Sequence, residues 1–494
     1  MFARYCVSNI RPACFALLAV LVVIVCSPCA AVTISGRVRD VNGIGITGIT
    51  VRASNGGGST TTTTGGVYSL SVTAPYTGMV GPEGMYQFSP VHYEYTGLTT
   101  DVANQDFLAS PLIFGNGHLA TILSYYSTSH GAAVWGDYNN TGTLDVALAG
   151  YGVTTSPSAL GPVARVFKGD GASNFTDAKA SLTGVRDAAA AWADYDNDGR
   201  LDLVIAGDTG SAYVTRLYRY NGSSFSPVNS AGLVGVTKGC LAWADYDNDG
   251  RLDLLVAGIS ASGRIARLYH NDGGGVFTQN MSVSLPGLSE CSAAWADYDN
   301  DGRQDFAIAG NTAGGCLTRI YHNDGAGQFS DIAAGLTGVG FASIAWGDYD
   351  NDGLFDLALA GVNQNGDKIT RVCRNTGSGF VEQDLGLPGV RGGIAWGDYD
   401  NDGRLDLALA GDQDASDCPK VFRNNGNGTF TGYIVESIDI TDAWVAWGDY
   451  DADGRLDVVV AGDQAGGYPC TYLYQNQTAT ANTAPSAPSG LSTS

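Results

Sequence analysis

The sequence predicts an all-β fold, and three observations support this prediction. The 494 residues include 69 glycines and 25 tyrosines but only 4 methionines, a composition typical of short strands joined by tight turns. Apolar runs of strand length follow one another between turn residues, and no stretch has the period of a helix. An aspartate-rich motif also recurs at nearly constant spacing, which indicates a repeated β unit. We therefore expect a small β domain followed by an array of β units.

Residues 1–31 have the pattern of a secretory signal. Arg4 and Arg11 give a basic start, residues 15–25 form an apolar core, and Ala30 and Ala31 supply small residues for cleavage. The alternative is an uncleaved membrane anchor, but the apolar core is short for the roughly 20 residues that a spanning helix requires. We expect a secreted or cell-surface protein with no membrane span in the mature chain.

Residues 32–110 predict a small β-sandwich domain. Alternating β-branched segments are separated by glycine-rich turns, at residues 34–40, 48–53, 59–64 and 67–72. The succession ISGRV, DVNG, GITVRAS and GGVYSLSV, closed by segments 86–90 and 104–107, resembles the carboxypeptidase regulatory-like domains of bacterial surface proteins. This resemblance implies a spacer or stalk.

Residues 111–478 contain seven copies of the motif, each introduced by a tryptophan. An apolar run precedes each acidic loop, a second run follows it, and two further strands are joined by a glycine turn. The copies repeat about every 51 residues, a period that suits one four-stranded blade of a β-propeller. The middle residue of the acidic triplet lies at Asn139, Asp196, Asp247, Asp299, Asp350, Asp400 and Asp451.

The two ends of this array predict how it closes. The last unit reaches its third strand at residues 472–476, and residues 479–494 form a linker tail rich in Pro, Ser and Thr. Residues 112–123 match the glycine turn and outer strand of the other units, so we expect this segment to complete the last blade. The sequence thus predicts a seven-bladed β-propeller without exposed sheet edges.

The charge of the chain is strongly acidic but local. Acidic residues outnumber basic residues 49 to 26, which gives a net charge of −23. Just over half of the acidic residues lie in the seven motifs, and a bound cation is the simplest explanation for such clustering. Such a surface argues against nucleic acid and anionic membranes as partners.

The loop at residues 194–202 has the groups that a calcium site needs. Carboxylates at alternate positions can point inward, and Gly199 permits the sharp turn between them. Hard oxygen ligands in this number suit Ca²⁺, whereas a motif without histidine or cysteine argues against zinc and copper. Four carboxylates are also more than Mg²⁺ normally needs. The expected ligands in this copy are Asp194, Asp196, Asp198, the carbonyl oxygen of Arg200, and Asp202.

The other copies predict one calcium ion per blade, up to seven in all. In the first copy Thr141 replaces a carboxylate, which predicts weak or absent binding there. That first set is Asp137, Asn139, Thr141 and Asp145. The remaining sets are Asp245, Asp247, Asp249, Arg251 and Asp253; Asp297, Asp299, Asp301, Arg303 and Asp305; Asp348, Asp350, Asp352, Leu354 and Asp356; Asp398, Asp400, Asp402, Arg404 and Asp406; and Asp449, Asp451, Asp453, Arg455 and Asp457.

The start of each loop also matches an EF-hand, which would require a glutamate at position 12 and flanking helices. Position 12 is Ile205, inside a β-rich run. The six complete copies are similar instead to the FG-GAP repeats of integrin α-subunits and the VCBS-type repeats of bacteria. That resemblance implies calcium loops between the strands of a β-propeller and ligand binding on the opposite face. Sites spread so evenly through a scaffold favour structural rather than catalytic calcium.

Other chemically active residues give weaker signals. The tryptophan before each loop is expected in the blade core, and not as a platform for sugar stacking. His270 and His322 share a third-strand position that holds Lys or Arg elsewhere, which favours interchangeable surface residues. The six cysteines after the signal are scattered, so buried thiols are favoured, and no disulfide pair is indicated. No nucleophile elbow, phosphate loop or zinc signature occurs.

The leading hypothesis is a non-enzymatic adhesion or binding module for an extracellular protein or glycan. Residues 151–164 predict the longest variable loop on the face opposite the calcium loops, and we expect it to belong to any partner site. One alternative is a polysaccharide-acting lyase or hydrolase on a propeller scaffold. Another is a purely structural component of a surface layer or matrix.

Overall fold

The computed structural model describes residues 31–39, 49–55, 58–83, 86–89, 93–111, 128–153, 160–172, 174–413, 419–435, 440–464 and 468–478. Within these residues every helix or strand assigned is a strand. The described part of the chain accordingly contains no helix long and apolar enough to span a membrane. The chain divides into two compact units between Pro111 and Leu112.

The first unit contains two four-stranded sheets. Its strands are β1 Ala31–Arg39, β2 Thr50–Ala53, β3 Ser59–Thr61, β4 Val67–Thr73, β5 Tyr76–Glu83, β6 Tyr86–Ser89, β7 Tyr93–Leu98 and β8 Phe107–Pro111. One sheet has the order β4-β1-β8-β6 and the other β3-β2-β5-β7. Alternate side chains of β1 and β4, such as Ile34 and Leu70, pack with Val51 and Val80 of the second sheet in one buried core. Strands β5 and β7 were not among the predicted segments.

The second unit repeats one arrangement of strands. In the described residues it contains six sets of four strands and one set of three. The strands are β9 Thr128–Gly136, β10 Asp145–Val153, β11 Leu160–Gly169 and β12 Phe175–Asp177; β13 Arg186–Ala193, β14 Asp202–Asp208, β15 Tyr213–Tyr220 and β16 Phe225–Pro227; β17 Thr237–Ala244, β18 Asp253–Ser260, β19 Gly263–Gly273 and β20 Val276–Gln279; β21 Ser289–Ala296, β22 Asp305–Thr312, β23 Gly315–Gly325 and β24 Gln328–Asp331; β25 Val339–Gly347, β26 Asp356–Asn363, β27 Lys368–Asn375 and β28 Phe380–Gln383; β29 Val390–Gly397, β30 Asp406–Gln413, β31 Lys420–Asn424 and β32 Phe430–Ile434; and β33 Ile440–Gly448, β34 Asp457–Gln464 and β35 Tyr468–Tyr474.

Within each set the strands pair antiparallel with their neighbours in chain order. The first strand of a set, here called the inner strand, leads through an acidic loop into the second. A single bridge between Leu317 and Val339 also joins two successive sets into one eight-stranded sheet. Repeated four-stranded sheets of this kind are consistent with a propeller.

The second strand of each set is buried on both faces, which explains its uninterrupted apolar sequence. In β14, Leu203 and Ile205 join a core shared with the preceding sheet, whereas Val204 and Ala206 join one shared with the following sheet. The first and last sets are in contact in the same way, because Leu148 and Leu473 belong to a single buried cluster. Each sheet is therefore held by the sheets on either side.

Two sequence predictions about the array have different outcomes. The loop predicted at residues 151–164 is wrong in its extent, because β10 and β11 continue their ladder and pair Tyr151 with Pro162 and Val153 with Leu160. The remaining residues of that loop, 154–159, lie outside the described residues. The outer strand predicted at residues 112–123 also lies outside them, while the last set has three described strands.

Candidate metal centres

Each acidic loop is a tight turn held by its first aspartate. In the second set, the carboxylate of Asp194 accepts hydrogen bonds from the backbone N–H groups of Asp198 at 2.9 Å and Gly199 at 2.7 Å. Asn197 and Gly199 have φ values of 58° and 84°, the left-handed region that asparagine and glycine tolerate best. The first aspartate is therefore a turn-forming residue as well as a predicted ligand. The same role falls to Asp137, Asp245, Asp297, Asp348, Asp398 and Asp449.

Each loop ends on a buried aspartate at the start of the second strand. Asp202 is 1% exposed, and its Oδ1 accepts a hydrogen bond from the backbone N–H of Tyr220 at 2.7 Å. Its Oδ2 has no hydrogen-bond partner among the described residues. Burial, reinforced by the other carboxylates of the loop, raises the pKa of Asp202 to about 7. A buried carboxylate that resists ionisation is suited to a cation that would supply the missing positive charge.

The closing aspartate is equally buried in the other complete loops, but there its Oδ2 accepts a hydrogen bond from the backbone N–H of the loop tyrosine at 3.1 or 3.2 Å. Burial raises the pKa of these carboxyl groups to about 7 or about 8 in every case. The residues are Asp253, Asp305, Asp356, Asp406 and Asp457. This recurrence ties the perturbed pKa to the fold of the repeat.

The predicted ligands of a loop converge in space. Oxygen atoms of Asp194, Asp196 and Asp202 all lie within 4.8 Å of one another. In this group, Oδ1 of Asp196 and Oδ2 of Asp202 are buried without a partner in the described part of the chain. Comparable groups form at Asp245, Asp247 and Asp249, and at Asp297, Asp299 and Asp305. Clustered carboxylate oxygens with unused lone pairs fit a hard divalent cation such as calcium.

A polar side chain of the third strand lies against these carboxylates. Arg219 of β15 places Nε 2.5 Å from Oδ2 of Asp196 and Nη2 2.8 Å from Oδ2 of Asp198. The same contact with the middle aspartate is made by Arg374, Arg423 and Gln475. This side chain therefore neutralises or bonds the loop carboxylates that a calcium ion would otherwise engage.

Histidine occupies that third-strand position in two sets. Nδ1 of His270 lies 3.2 Å from Asp247 and 3.3 Å from Asp253, and Nδ1 of His322 lies 3.3 Å from Asp299. The third strand runs beside the loop and directs both histidines to it, as it directs Arg219 and Arg374 in other sets. Their predicted interchangeability with basic residues at this position stays a prediction. Each could join its carboxylates around an ion, although oxygen atoms still form the majority.

The residue at position 7 contributes a side chain that the sequence analysis did not anticipate. Nη2 of Arg200 lies 2.5 Å from Oδ2 of Asp198, and its Nε donates to the carbonyl of Tyr220 at 3.3 Å. Arg251, Arg303, Arg404 and Arg455 make the equivalent contacts, whereas Leu354 has no such group. The backbone carbonyl expected as a ligand at this position stays a prediction.

The first loop is closed by its own side chains. Nδ2 of Asn139 donates a hydrogen bond to Oδ2 of Asp145 at 2.8 Å, and the hydroxyls of Thr141 and Thr143 are 2.9 Å apart. Burial raises the pKa of Asp145 to about 6. An amide N–H of Asn139 thus contacts the closing carboxylate of this loop. Weak or absent calcium binding there stays a prediction.

Two repeated asparagines tie neighbouring sheets together and were missed by the sequence analysis. The loop asparagine Asn197 donates from Nδ2 to the carbonyl of Gly250 in the next loop at 2.6 Å. The third-strand asparagine Asn271 donates from Nδ2 to the carbonyl of Tyr195 in the preceding loop at 2.9 Å. Both recur with the period of the array, and this recurrence was the signal that could have revealed them.

Aromatic stacking links the sheets beside the loops. The ring of Tyr138 stacks on Trp192 of the next sheet with centroids 5.8 Å apart, and Tyr399 stacks on Trp447 at 6.2 Å. Nε1 of Trp192 donates to the carbonyl of Val134 at 3.1 Å. The motif tryptophan is therefore a packing residue between sheets, in accordance with its predicted place in the core.

The repeat recognised in the sequence corresponds to a described family. The family model for the FG-GAP-like repeat matches residues 137–205, 194–256, 245–308, 297–359, 350–409 and 398–460, which together span more than half of the chain. The chain belongs to the FG-GAP-like repeat family. Each match of this FG-GAP-like chain contains an acidic loop and the strand after it, so the family assignment rests on the segments that build the candidate metal centres.

Solved structures similar to this FG-GAP-like chain share little sequence with it. An Agrocybe aegerita lectin, described as recognising non-reducing terminal N-acetylglucosamine, is 15% identical with a TM-score of 0.44, over 82% of this chain and 94% of the lectin. An exotype rhamnogalacturonan lyase is 12% identical with a TM-score of 0.32, over 90% of this chain and 73% of the lyase. A protein of unknown function from Dyadobacter fermentans DSM 18053 is 11% identical with a TM-score of 0.38, over 71% of this chain and 94% of that protein. No curated protein matched the chain.

Proposed function

We propose that this chain is a secreted or cell-surface binding module without catalytic activity, built on a seven-bladed propeller that calcium stabilises. The two-sheet N-terminal unit would act as a sandwich-like spacer. The partner class is an extracellular protein or glycan. The observation that carries the binding role is a ring of variable side chains around one end of the central cavity.

A repeated irregularity of the backbone builds this ring. The inner strands β13, β17, β21, β25 and β33 each carry a β-bulge near their start. One residue of each bulge has a φ value between 43° and 49°, which is strained for a residue with a side chain. These residues are Asp187, Lys238, Glu290, Phe341 and Asp442, and the equivalent position of β29 holds Arg391.

The ring lies at the end of the array opposite the acidic loops. In the strands that carry a bulge, it lies near the start of the strand and the acidic loop follows the end, so the two features occupy opposite ends. Arg391 likewise lies near the start of β29. All six ring residues line a cavity of about 420 Å³, which is bounded by inner strands from every set. Cavities of a few hundred Å³ are typical of small-ligand sites. The bulge recurs from set to set, but the type of residue that it directs towards the cavity changes. Such variation on a constant scaffold is typical of a recognition surface.

The chemistry of the ring suits a neutral, polar ligand. Lys238 lies 3.3 Å from Glu290, and Arg391 lies 2.8 Å from Asp442, so four of the five charged ring residues are in ion pairs and Asp187 is the fifth. The guanidinium of Arg391 also lies 4.2 Å from the ring centroid of Phe341. Paired charges beside an aromatic ring could bond the hydroxyl or amide groups of a glycan terminus or a peptide loop while covering its apolar face.

Calcium would have a structural role in this proposal. The candidate ligands fit a hard cation, and the loops lie far along the strand from the ring. A bound ion would replace repulsion among the carboxylates by attraction and would hold each loop between two sheets. The chemistry that calcium supplies here is charge compensation.

The test is a glycan array and an extracellular-protein array probed with the calcium-loaded full chain. We expect selective binding without turnover, and loss of that binding in the variants Asp187→Ala and Arg391→Ala. Val381→Ala, at an exposed position of β28, is the matched control and should bind normally. Binding that survives both ring variants would contradict the assignment of the ring, and release of a cleaved product would favour a polysaccharide-acting enzyme.

A further inference from the structure

Two cysteines of neighbouring inner strands lie against each other beside the central cavity. Cys240 belongs to β17 and Cys291 to β21, and their Sγ atoms are 3.0 Å apart. Both residues line the cavity, yet Cys240 is only 9% exposed. We propose that Cys240 and Cys291 form a disulfide that joins the third and fourth sets of strands.

The pair is an exception within the repeat. Counted back from the motif tryptophan, the position of Cys240 holds Ala132, Ala189, Ser292, Ser343, Gly393 and Trp444 in the other sets. The position of Cys291 holds Gly131, Ala188, Gly239, Ala342, Gly392 and Ala443. Two cysteines therefore stand at adjoining positions in adjacent sheets, where small residues are otherwise usual, and neither position has cysteine elsewhere.

Other sets use the same place for a different contact between sheets. Oγ of Ser292 accepts a hydrogen bond from the backbone N–H of Ile344 in the next inner strand at 3.3 Å. Oγ of Ser343 accepts one from the backbone N–H of Ile394 at 3.1 Å. The side chain at the position of Cys240 thus reaches the following inner strand in successive sets. In the third set a sulfur atom makes this contact, and it meets another sulfur atom.

The remaining described cysteines have no second thiol beside them. Sγ of Cys316 lies 3.3 Å from Oδ1 of Asn311, and Sγ of Cys470 lies 3.4 Å from the carbonyl of Gly462. Cys373 is buried in an apolar cluster with no other cysteine. Cys418 lies outside the described residues. Among the described residues, Cys240 and Cys291 are therefore the one pair of cysteines close enough to form a disulfide.

Formation of this bond needs an acceptor disulfide, such as oxidised glutathione or a protein thiol–disulfide oxidoreductase. The two thiols lose two protons and two electrons as the S–S bond forms, and the acceptor is reduced to two thiols. The hydrogen bond with Cys240, together with burial, raises the pKa of Cys291 and makes its reactive thiolate scarce in the folded protein. The bond should therefore form while the sheets assemble. In the cell it requires an oxidising compartment, and in this respect the inference rests on the proposed secretion.

The decisive experiment refolds the full chain with calcium in a glutathione redox buffer, so its outcome does not depend on export. Free thiols are alkylated under denaturing conditions, and a tryptic digest is analysed by mass spectrometry. Trypsin releases residues 239–251 and 268–303, which contain one cysteine each. We expect these peptides to be linked and to separate on reduction. Alkylation of both cysteines, or linkage of either to a different cysteine, would overturn the proposal.

A second measurement tests whether the bond contributes to stability. Reductant should lower the melting temperature of the oxidised chain by roughly 5 °C. A chain with Cys240→Ser and Cys291→Ser should show no such shift, whereas the control Cys316→Ser should retain it. A shift of equal size in the double variant would overturn the stabilising role. If that variant does not fold, the peptide map of the unsubstituted chain still decides whether the disulfide forms. Absence of the disulfide-linked peptides would overturn this inference but leave the proposed binding function intact.

Discussion

At the scale of single residues, the closing aspartate of each loop is the group whose ionisation in the folded chain depends most on a nearby cation. Asp202 is buried with one carboxylate oxygen unused, and burial raises its pKa to about 7. Near neutral pH its ionised form is therefore costly unless a cation compensates it. The same side chain should stabilise the calcium-loaded fold and weaken the calcium-free fold.

The substitution Asp202→Asn tests whether this carboxylate stabilises the calcium-loaded fold and destabilises the calcium-free fold. It retains the shape and the carbonyl that accepts the hydrogen bond from Tyr220, but it removes the charge. We expect one calcium ion fewer per chain and a loss of about 3 kcal/mol of stability at a calcium concentration 100-fold above the dissociation constant. In excess chelator the variant should be at least as stable as the unsubstituted chain.

Calorimetry and chemical unfolding with and without calcium measure both effects. Asp145→Asn is the matched control, because Asn139 already bonds this closing carboxylate. It should leave the number of bound calcium ions unchanged. An Asp202→Asn chain that is destabilised equally in calcium and in chelator would show that the carboxylate has no specific relation to the ion.

Stability should also depend on pH in a direction set by these aspartates. Their folded pKa values of about 7 to 8 exceed the ordinary value of 3.8, so the calcium-free folded chain binds more protons than the unfolded chain between these limits. The stability that these protonated aspartates give the calcium-free fold is fully present below pH 4 and is lost as the pH rises through 7 to 8. Calcium binding requires the ionised form and strengthens over the same upper range.

Melting curves from pH 5.5 to 8 with calcium and with chelator test this dependence. We expect the difference in melting temperature between the two conditions to grow with pH. A difference that stays constant across the range would contradict a role for the buried carboxyl groups in binding the ion.

At the scale of elements, polar links between successive sheets accompany the apolar contacts. The third-strand asparagine is the clearest case, because Asn424 is 2% exposed and donates from Nδ2 to the carbonyls of Tyr349 and Leu405 at 2.7 and 3.2 Å. Its Oδ1 accepts a hydrogen bond from the backbone N–H of Gly426 at 3.0 Å. The side chain thus joins two sheets and completes the turn after its own strand.

The substitution Asn424→Ala should lower the free energy of unfolding by about 2–4 kcal/mol, because it leaves several buried polar groups without partners. Urea unfolding measures the change. The adjacent Asn425 bonds the side chains of Thr429 and Thr431 at the surface, so Asn425→Ala should change stability by less than about 0.5 kcal/mol. Equal effects of the two substitutions would contradict the role assigned to the buried link.

The strands and loops could largely be predicted from the sequence, but which side chains meet between sheets could not. Position 12 of the second loop, Ile205, lies in β14 as its apolar surroundings indicated. The contact between Cys240 and Cys291 depends on which faces two inner strands present to each other. The orientation of His270 towards Asp247 depends on the side chains of a third strand lying over the loop. Spacing along one chain contains neither kind of information.

At the scale of the whole molecule, the two ends of the array carry different features. One end of each inner strand leads into an acidic loop suited to calcium, and in five of these strands the other end carries a bulge with a strained residue beside the central cavity. The first and last sheets share the buried cluster that includes Leu148 and Leu473. Ions held in the loops would therefore stabilise contacts throughout the array and so support the ring indirectly.

The number of calcium ions bound per chain tests the central claim most directly. The full chain is freed of metal, titrated with calcium by calorimetry, and examined by native mass spectrometry and thermal melting. We predict six tightly bound ions, because Asn139 closes the first loop, together with a rise in melting temperature that chelator reverses. A chain that binds no calcium, or that binds it with no change in melting temperature, would contradict the account.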